Sequence, residues 1–324
     1  MKTEQEVIPI FFTIDNAYAP YLDVALRSMI ANASKKEKYK IIVLYENVTA
    51  DSLSKIATVV QEPFEIEFHE MRNQIEGLTD RKENRLRCDY FTMTIYFRLF
   101  IAAMFPEYTK GIYIDSDVVV PGDISELYRI DLGDNLLAAC PDRSVVNIPE
   151  LARYMEYAIG IPKTDYINSG VLLMNLKKMR ETKFIEHFLY LLNTYHFDNV
   201  APDQDYLNAI CHGKILYLEE CWDAMPPEGG KEMVLAEPKI IHYNLFLKPW
   251  CYDNIPYEEY FWKYAEMSPF YDEILLYKKN YSAEQKKSDK ECLKTLVTKA
   301  GRLDRQEVTF RKLKESGIKI TICL

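Results

Sequence analysis

The chain has 324 residues, 48% hydrophobic, 13% aromatic and 27% charged, a balance that excludes a disordered or fibrous protein and supplies ample core. Forty Lys and Arg against 49 Asp and Glu give a net charge of −9, which argues against a general nucleic-acid binder. The charge is uneven: residues 278–324 carry 13 basic against 6 acidic side chains, net +7, and residues 1–277 carry a net −16.

Residues 7–14 (VIPIFFTI) form an apolar run that stops at Asp15, as a buried strand does. Residues 20–32 place Leu22, Ala25, Leu26 and Met29 at helical spacing, with Pro20 suited to a first turn. Residues 40–45 (KIIVLY) read as a second buried strand. Asp51 is placed to cap a helix that buries Leu53, Ile56 and Val60, and residues 64–68 (FEIEF) alternate like a half-exposed strand. Residues 89–104 are helical in period, and 111–114, 136–140, 171–176, 214–218 and 239–243 read as strands, with helices at 183–195 and 202–211. Strands alternating with helices imply a three-layer α/β protein with a mostly parallel central sheet and right-handed crossovers. Beyond residue 252 the character changes to an aromatic cluster followed by the Lys-rich tail.

Only 11 glycines are present and no two are separated by one residue, so the G-x-G-x-x-G turn and the G-x-x-x-x-G-K-[ST] loop are both absent. A diphosphate, if bound, is held by a metal or by side-chain cations. Seven scattered cysteines, none in C-x-x-C, read as reduced thiols rather than a disulfide framework or zinc knuckle. The start, MKTEQEVIPIFFTID, has too short an apolar stretch for a signal peptide, and no later run approaches the ~20 apolar residues of a spanning helix. The expectation is a soluble, cytoplasmic protein, at most peripheral on the inner face of a membrane.

The segment Ile112-Tyr-Ile-Asp115-Ser-Asp117-Val-Val-Val120 places two carboxylates where an apolar strand runs out. Ligands of open α/β sheets bind at the carboxyl ends of strands, and a D-x-D pair there offers hard oxygen ligands to Mg²⁺ or Mn²⁺. Twenty aspartates supply such a spacing by chance, and Asp203-Gln204-Asp205 repeats it, so a solvated loop is the plain alternative. His242 ends another apolar strand six residues before Lys248, in HYNLFLKPW; imidazole added to two carboxylates favours Mn²⁺, Zn²⁺ or a similar ion over Ca²⁺, Lys248 suits a phosphate, and a hydrogen-bonded structural histidine is the plain alternative. Tyr166-Ile-Asn168-Ser169-Gly170 reads equally as a sugar-binding turn or a plain one. Asp203 and Asp205 complement a helix N-terminus.

Taken together, FTIDNAYAPYLDVALRSM, TIYFRLFIA, GIYIDSDVVVPGDISELYRIDLGDN, YINSGVLLMNLKKMR, DQDYLN and HYNLFLKPW resemble, in order over about residues 7–250, the glycosyltransferase family 8 enzymes. The resemblance implies a GT-A nucleotide-diphospho-sugar transferase fold over residues 1–251, followed by an aromatic and then basic helical extension over 252–324. It implies Asp115, Asp117 and His242 as ligands of Mn²⁺ (or Mg²⁺), and Thr13, Asp15 and Tyr18 near a uracil. Arg98 and Lys248 fall on the donor and its diphosphate, with Ser116, Asn168 and Ser169 also in the donor site. Asp142, Asp203 and Gln204 lie beside the donor sugar, where an amide at Gln204 favours front-face attack over a covalent intermediate. The implied activity is retaining transfer of galactose or glucose from a UDP-hexose to a glycan or glycolipid hydroxyl. An inverting GT-A transferase and a catalytically silent sugar-binding relative are the alternatives. One departure stands out: bacterial members usually carry Gly-Pro where this chain has Leu245 and Phe246, and a side chain at that glycine position constrains φ. The basic tail reads as a solvated extension or as a docking surface for anionic lipid that carries the acceptor.

Overall fold

The apolar run at the start of the chain becomes an inner strand, β1 (Val7–Ile14), buried from Ile8 onward. The computed structural model describes residues 6–71, 94–226, 234–303 and 305–322. Alternate side chains of β1 serve two cores, as the pleat requires: Ile8, Ile10, Phe12 and Ile14 face one side, and Phe11 faces the other. Burying each such side chain contributes about 1.5–3 kcal/mol.

From β1 the chain continues through α1 (Ala19–Asn32), β2 (Lys38–Tyr45), α2 (Ala50–Ala57) and β3 (Phe64–Glu70). Pro20 lies in the first turn of α1, as the sequence predicts. The cap of α2 differs from expectation. Thr49, extended in backbone, accepts a hydrogen bond from the Ser52 amide, and Asp51 sits inside the first turn, paired with Lys55 at 2.7 Å. The helix ends at Ala57, so Val60 lies beyond it. The next helix, α3, runs over Thr94–Met104; the expected residues 89–93 of it lie outside the described residues.

The remaining strands are β4 (Gly111–Ile114), β5 (Val118–Val119), β6 (Leu137–Ala139), β7 (Val171–Met174), β8 (Ile215–Tyr217) and β9 (Ile241–His242). The remaining helices of the body are α4 (Ile124–Tyr128), α5 (Pro149–Tyr154), α6 (Leu176–Glu181), α7 (Phe184–Tyr195) and α8 (Pro202–Cys211). The main sheet has seven strands in the order β3-β2-β1-β4-β7-β6-β8, and all are parallel except β7, which runs against β4 and β6. A small antiparallel pair, β5 with β9, stands apart. This is the mixed, mostly parallel GT-A arrangement.

The C-terminal segment forms α9 (Glu258–Ala265), α10 (Tyr271–Asn280), α11 (Ala283–Leu303) and α12 (Phe310–Glu315). Phe261, Tyr264, Phe270 and Ile274 enter the first core; Leu296, Ala300, Leu303 and Phe310 enter the second. Lys287, Lys290 and Lys294 of α11 are exposed, so the basic character of the tail lies on its outer side. Among the described residues, no helix is long and apolar enough to cross a membrane.

Phe310 stacks on Phe197 with ring centroids 3.8 Å apart and meets the edge of Tyr206 at 5.1 Å. Phe310→Ala is expected to cost about 3–5 kcal/mol. Urea unfolding measures it; a loss below about 1 kcal/mol would mean that α12 contributes little to the stability of the body.

Candidate active site

Two strand ends and one small ladder assemble the site. Asp115 is the first residue after β4, and its amide donates to Gly170 O at 2.7 Å because β7 runs antiparallel alongside. Asp117 directly precedes β5, whose Val118 stands opposite His242 in β9, and the Tyr243 amide donates to Asp117 O at 2.9 Å. The D-x-D carboxylates and the histidine, 125 residues apart in the case of Asp117, are thereby brought together. His242 Nε2 lies 3.3 Å from Asp117 and 3.8 Å from Asp115, and one ligand atom of each of the three falls within 4.8 Å of the others.

Behind the cluster, His242 Nδ1 lies 3.0 Å from Asp223, a buried carboxylate whose second oxygen has no hydrogen-bond partner among the described residues. A carboxylate in that position fixes the orientation of a ligating imidazole. The crowding explains Gly170: a Cβ there would stand 2.3 Å from His242 Cε1 and 2.8 Å from Asp115 Oδ2.

Two cations neutralise the carboxylates. Lys248 Nζ lies 2.5 Å from Asp117 and donates to Tyr243 O at 2.8 Å. Arg98, buried on α3, pairs with Asp115 at 2.9 Å and Asp203 at 3.3 Å, and donates to Ser169 O at 2.7 Å. Its guanidinium also lies 4.5 Å from the Tyr113 ring, and the Tyr113 hydroxyl donates to Asp115 at 2.5 Å and meets Thr13 at 2.8 Å. Burial alone favours a neutral Asp117; Lys248 and His242 outweigh it and hold the carboxyl well below its usual range. Burial likewise opposes a charged His242, yet Asp117 and Asp223 raise it to about 10.

The cluster opens into a cavity of about 600 Å³ bounded by Thr13, Asp15, Tyr18, Arg98, Ser116, Ser169, Asp203 and Lys248 together with Asp115, Asp117 and His242. Asp15 also caps the turn ahead of α1, accepting from the Ala17 and Tyr18 amides. Asn168, Asp142 and Gln204 form a connected layer beside this wall. The Gln204 amide donates to Asp142 at 2.9 Å and accepts from the Ser169 amide at 3.1 Å; Asn168 donates to Asp142 at 3.2 Å. The two carboxylates of the second D-x-D part company: Asp203 faces the site, and Asp205 is buried, accepting from the Tyr154 and Tyr166 hydroxyls. Leu245 adopts a left-handed φ of +56° despite its side chain, which costs roughly 1–2 kcal/mol, and its amide donates to Asn244 Oδ1 at 2.8 Å.

The sequence assigns no role to Tyr113, inside the D-x-D segment, or to Asp223. Tyr113 reads from sequence as one more apolar position of a strand, and Asp223 lies in an irregular segment. Cavity-lining residues of α10 and α11, among them Tyr277 and Gln285, also lie beyond the segments that carry the family resemblance.

Because the folded His242 pKa lies above the ordinary 6.5, its stabilising share in the metal-free protein is full below pH 6.5 and is lost as pH rises through about 10. NMR titration, with the signal assigned through His242→Gln, should find the imidazole protonated well above pH 7. Asp223→Asn should lower that pKa; an unchanged value would remove Asp223 from this role.

Residues 9–254 match the family model described as "Glycosyl transferase family 8". A putative glycosyltransferase of Haemophilus influenzae is 29% identical over 227 residues, covering 69% of this chain and 65% of that protein, just under two thirds. A lipopolysaccharide 1,2-glucosyltransferase of Escherichia coli K12 is 25% identical over 85% of both chains. The crystal structure of galactosyltransferase LgtC with donor and acceptor sugar analogs superposes with a TM-score of 0.67 at 26% identity, covering 81% of this chain and 96% of that one. The chain thus belongs to glycosyltransferase family 8 and has the GT-A fold.

Proposed function

We propose that the protein is a divalent-metal-dependent retaining hexosyltransferase that moves glucose or galactose from a UDP-sugar to a hydroxyl of a glycan or glycolipid. The observation that carries the reading is the convergence of Asp115, Asp117 and His242 within 4.8 Å beside Lys248 and Arg98. Two carboxylates and an imidazole suit Mn²⁺ or Mg²⁺. The fit is supported by the Asp223 carboxylate behind His242 and by Gly170, where any Cβ would fill the space between His242 and Asp115. The ion, when bound, would act as a Lewis acid that neutralises charge on the donor's diphosphate.

In the transfer, the bond from the anomeric carbon to the diphosphate oxygen breaks and the acceptor oxygen bonds to that carbon on the same face. The acceptor's proton passes to the departing phosphate oxygen. Charge therefore accumulates on the diphosphate, and Lys248 and Arg98 are the side-chain cations that stabilise it, both held in place before the donor arrives. Asp203, paired with Arg98 and accepting from Ser169 Oγ at 2.9 Å, orients the sugar hydroxyls with Ser169. The Gln204 amide is bonded to Asp142 and to the Ser169 amide and is a poor nucleophile, which favours front-face attack over a glycosyl-enzyme. The names of the glucosyl- and galactosyltransferase relatives support a hexose donor.

Incubation with Mn²⁺ and a panel of UDP-sugars is expected to release UDP from one hexose donor. Chelation or Asp117→Asn should lower the rate at least ~100-fold. No turnover of any donor, with sugar binding intact, would favour a silent relative.

A further inference from the structure

The C-terminal helices reach the same cavity. Glu273 and Tyr277 of α10, Tyr281 after it, and Gln285 and Ser288 of α11 face the space that Asp15 and Tyr18 also bound. These helices are fixed in place. α10 packs on α1. Near its start, α11 is tied by Asp289, which accepts from the Tyr252 and Tyr281 hydroxyls at 2.5 and 2.8 Å. Near its end it is tied by Lys299, which pairs with Asp198 at 2.5 Å, and by Leu296, Ala300 and Leu303 in the second core. Residues 285, 288, 289 and 296, all lining the cavity, recur at helical spacing on one face of α11.

The chemistry of this wall differs from that of the metal cluster. Its charges are the carboxylates of Glu273 and Asp289, which repel a diphosphate and accept hydrogen bonds from hydroxyls or ring N–H groups. Its rings are Tyr277, 45% exposed, and Tyr281, with centroids 5.7 Å apart. Opposite cations are close at hand: Lys248 Nζ stands 5.9 Å from the Tyr18 ring and 5.4 Å from the Trp250 ring, on the body side of the same cavity. An uncharged, flat, hydroxyl-bearing group attached to a diphosphate at Lys248 meets these demands.

We propose that α10 and α11 complete the nucleoside subsite of the donor, with Tyr277 as a stacking platform for the pyrimidine base and the carboxylates of Glu273 and Asp289 facing the ribose. The inference rests on the reading of the cavity as a UDP-sugar site. It makes the C-terminal segment part of the binding site, where the sequence suggests a solvated extension or a lipid-docking surface.

The test compares Mn²⁺-dependent binding of UDP and of inorganic pyrophosphate, by calorimetry, in the full-length wild type, Tyr277→Ala and Tyr277→Phe. Loss of one stacking ring should weaken UDP about tenfold or more while pyrophosphate stays within about twofold, and Tyr277→Phe, which keeps the ring, should restore UDP binding. Unchanged UDP affinity in Tyr277→Ala overturns the inference, as does an equal loss for pyrophosphate or an effect confined to the acceptor KM. If the wild type itself binds UDP no better than pyrophosphate, the UDP-sugar reading fails, and the nucleoside subsite with it.

Discussion

Four carboxylates share one largely buried space at the carboxyl end of β4, and that crowding of charge governs the arrangement around it. Asp115 and Asp117, Asp203, and Asp223 arrive from three parts of the chain, and each costs several kcal/mol to bury unless paired. Arg98 answers two of them, Lys248 a third, and protonated His242 lies between Asp117 and Asp223. Three cations thus face four carboxylates, and each carboxylate has at least one cationic partner. A divalent ion held by Asp115, Asp117 and His242 would take the place of the His242 proton beside Lys248 and Arg98.

The topology serves the same constraint. An all-parallel sheet would not return the chain beside β4 at the required point. The single reversed strand β7 does so, placing Gly170 O on the Asp115 amide and carrying Asn168 and Ser169 to the mouth of the site. The two-residue ladder of β5 with β9 is too short to add much stability, yet its register sets His242 next to Asp117. Leu245 shows the cost of holding such a loop. It keeps a left-handed backbone suited to glycine, with its amide satisfied by the neighbouring Asn244 side chain.

Much of this is legible in the residues. Apolar runs ending at Asp15 and Asp115 mark strands whose carboxyl ends border the cavity, and β1, α1 and α8 fall close to their expected bounds. Periodicity reports burial but not what a buried hydroxyl or carboxylate meets across the fold. Tyr113 and Asp223 were hidden for that reason, since each acts through a partner distant in sequence. The cap of α2 falls on Thr49 and not on Asp51 because a capping side chain must precede the helix in extended backbone, and Thr49 does so two residues before Asp51. The wall supplied by α10 and α11 depends on helix packing that a Lys-rich composition does not reveal.

The central claim is that Asp115, Asp117 and His242 together hold one divalent ion. Pulsed electron paramagnetic resonance of the protein with Mn²⁺ and UDP tests it directly. The account predicts one bound Mn²⁺ per chain with a histidine nitrogen coupling that disappears in His242→Gln. Mn²⁺ bound without any nitrogen coupling, or no bound Mn²⁺ at all, would contradict it.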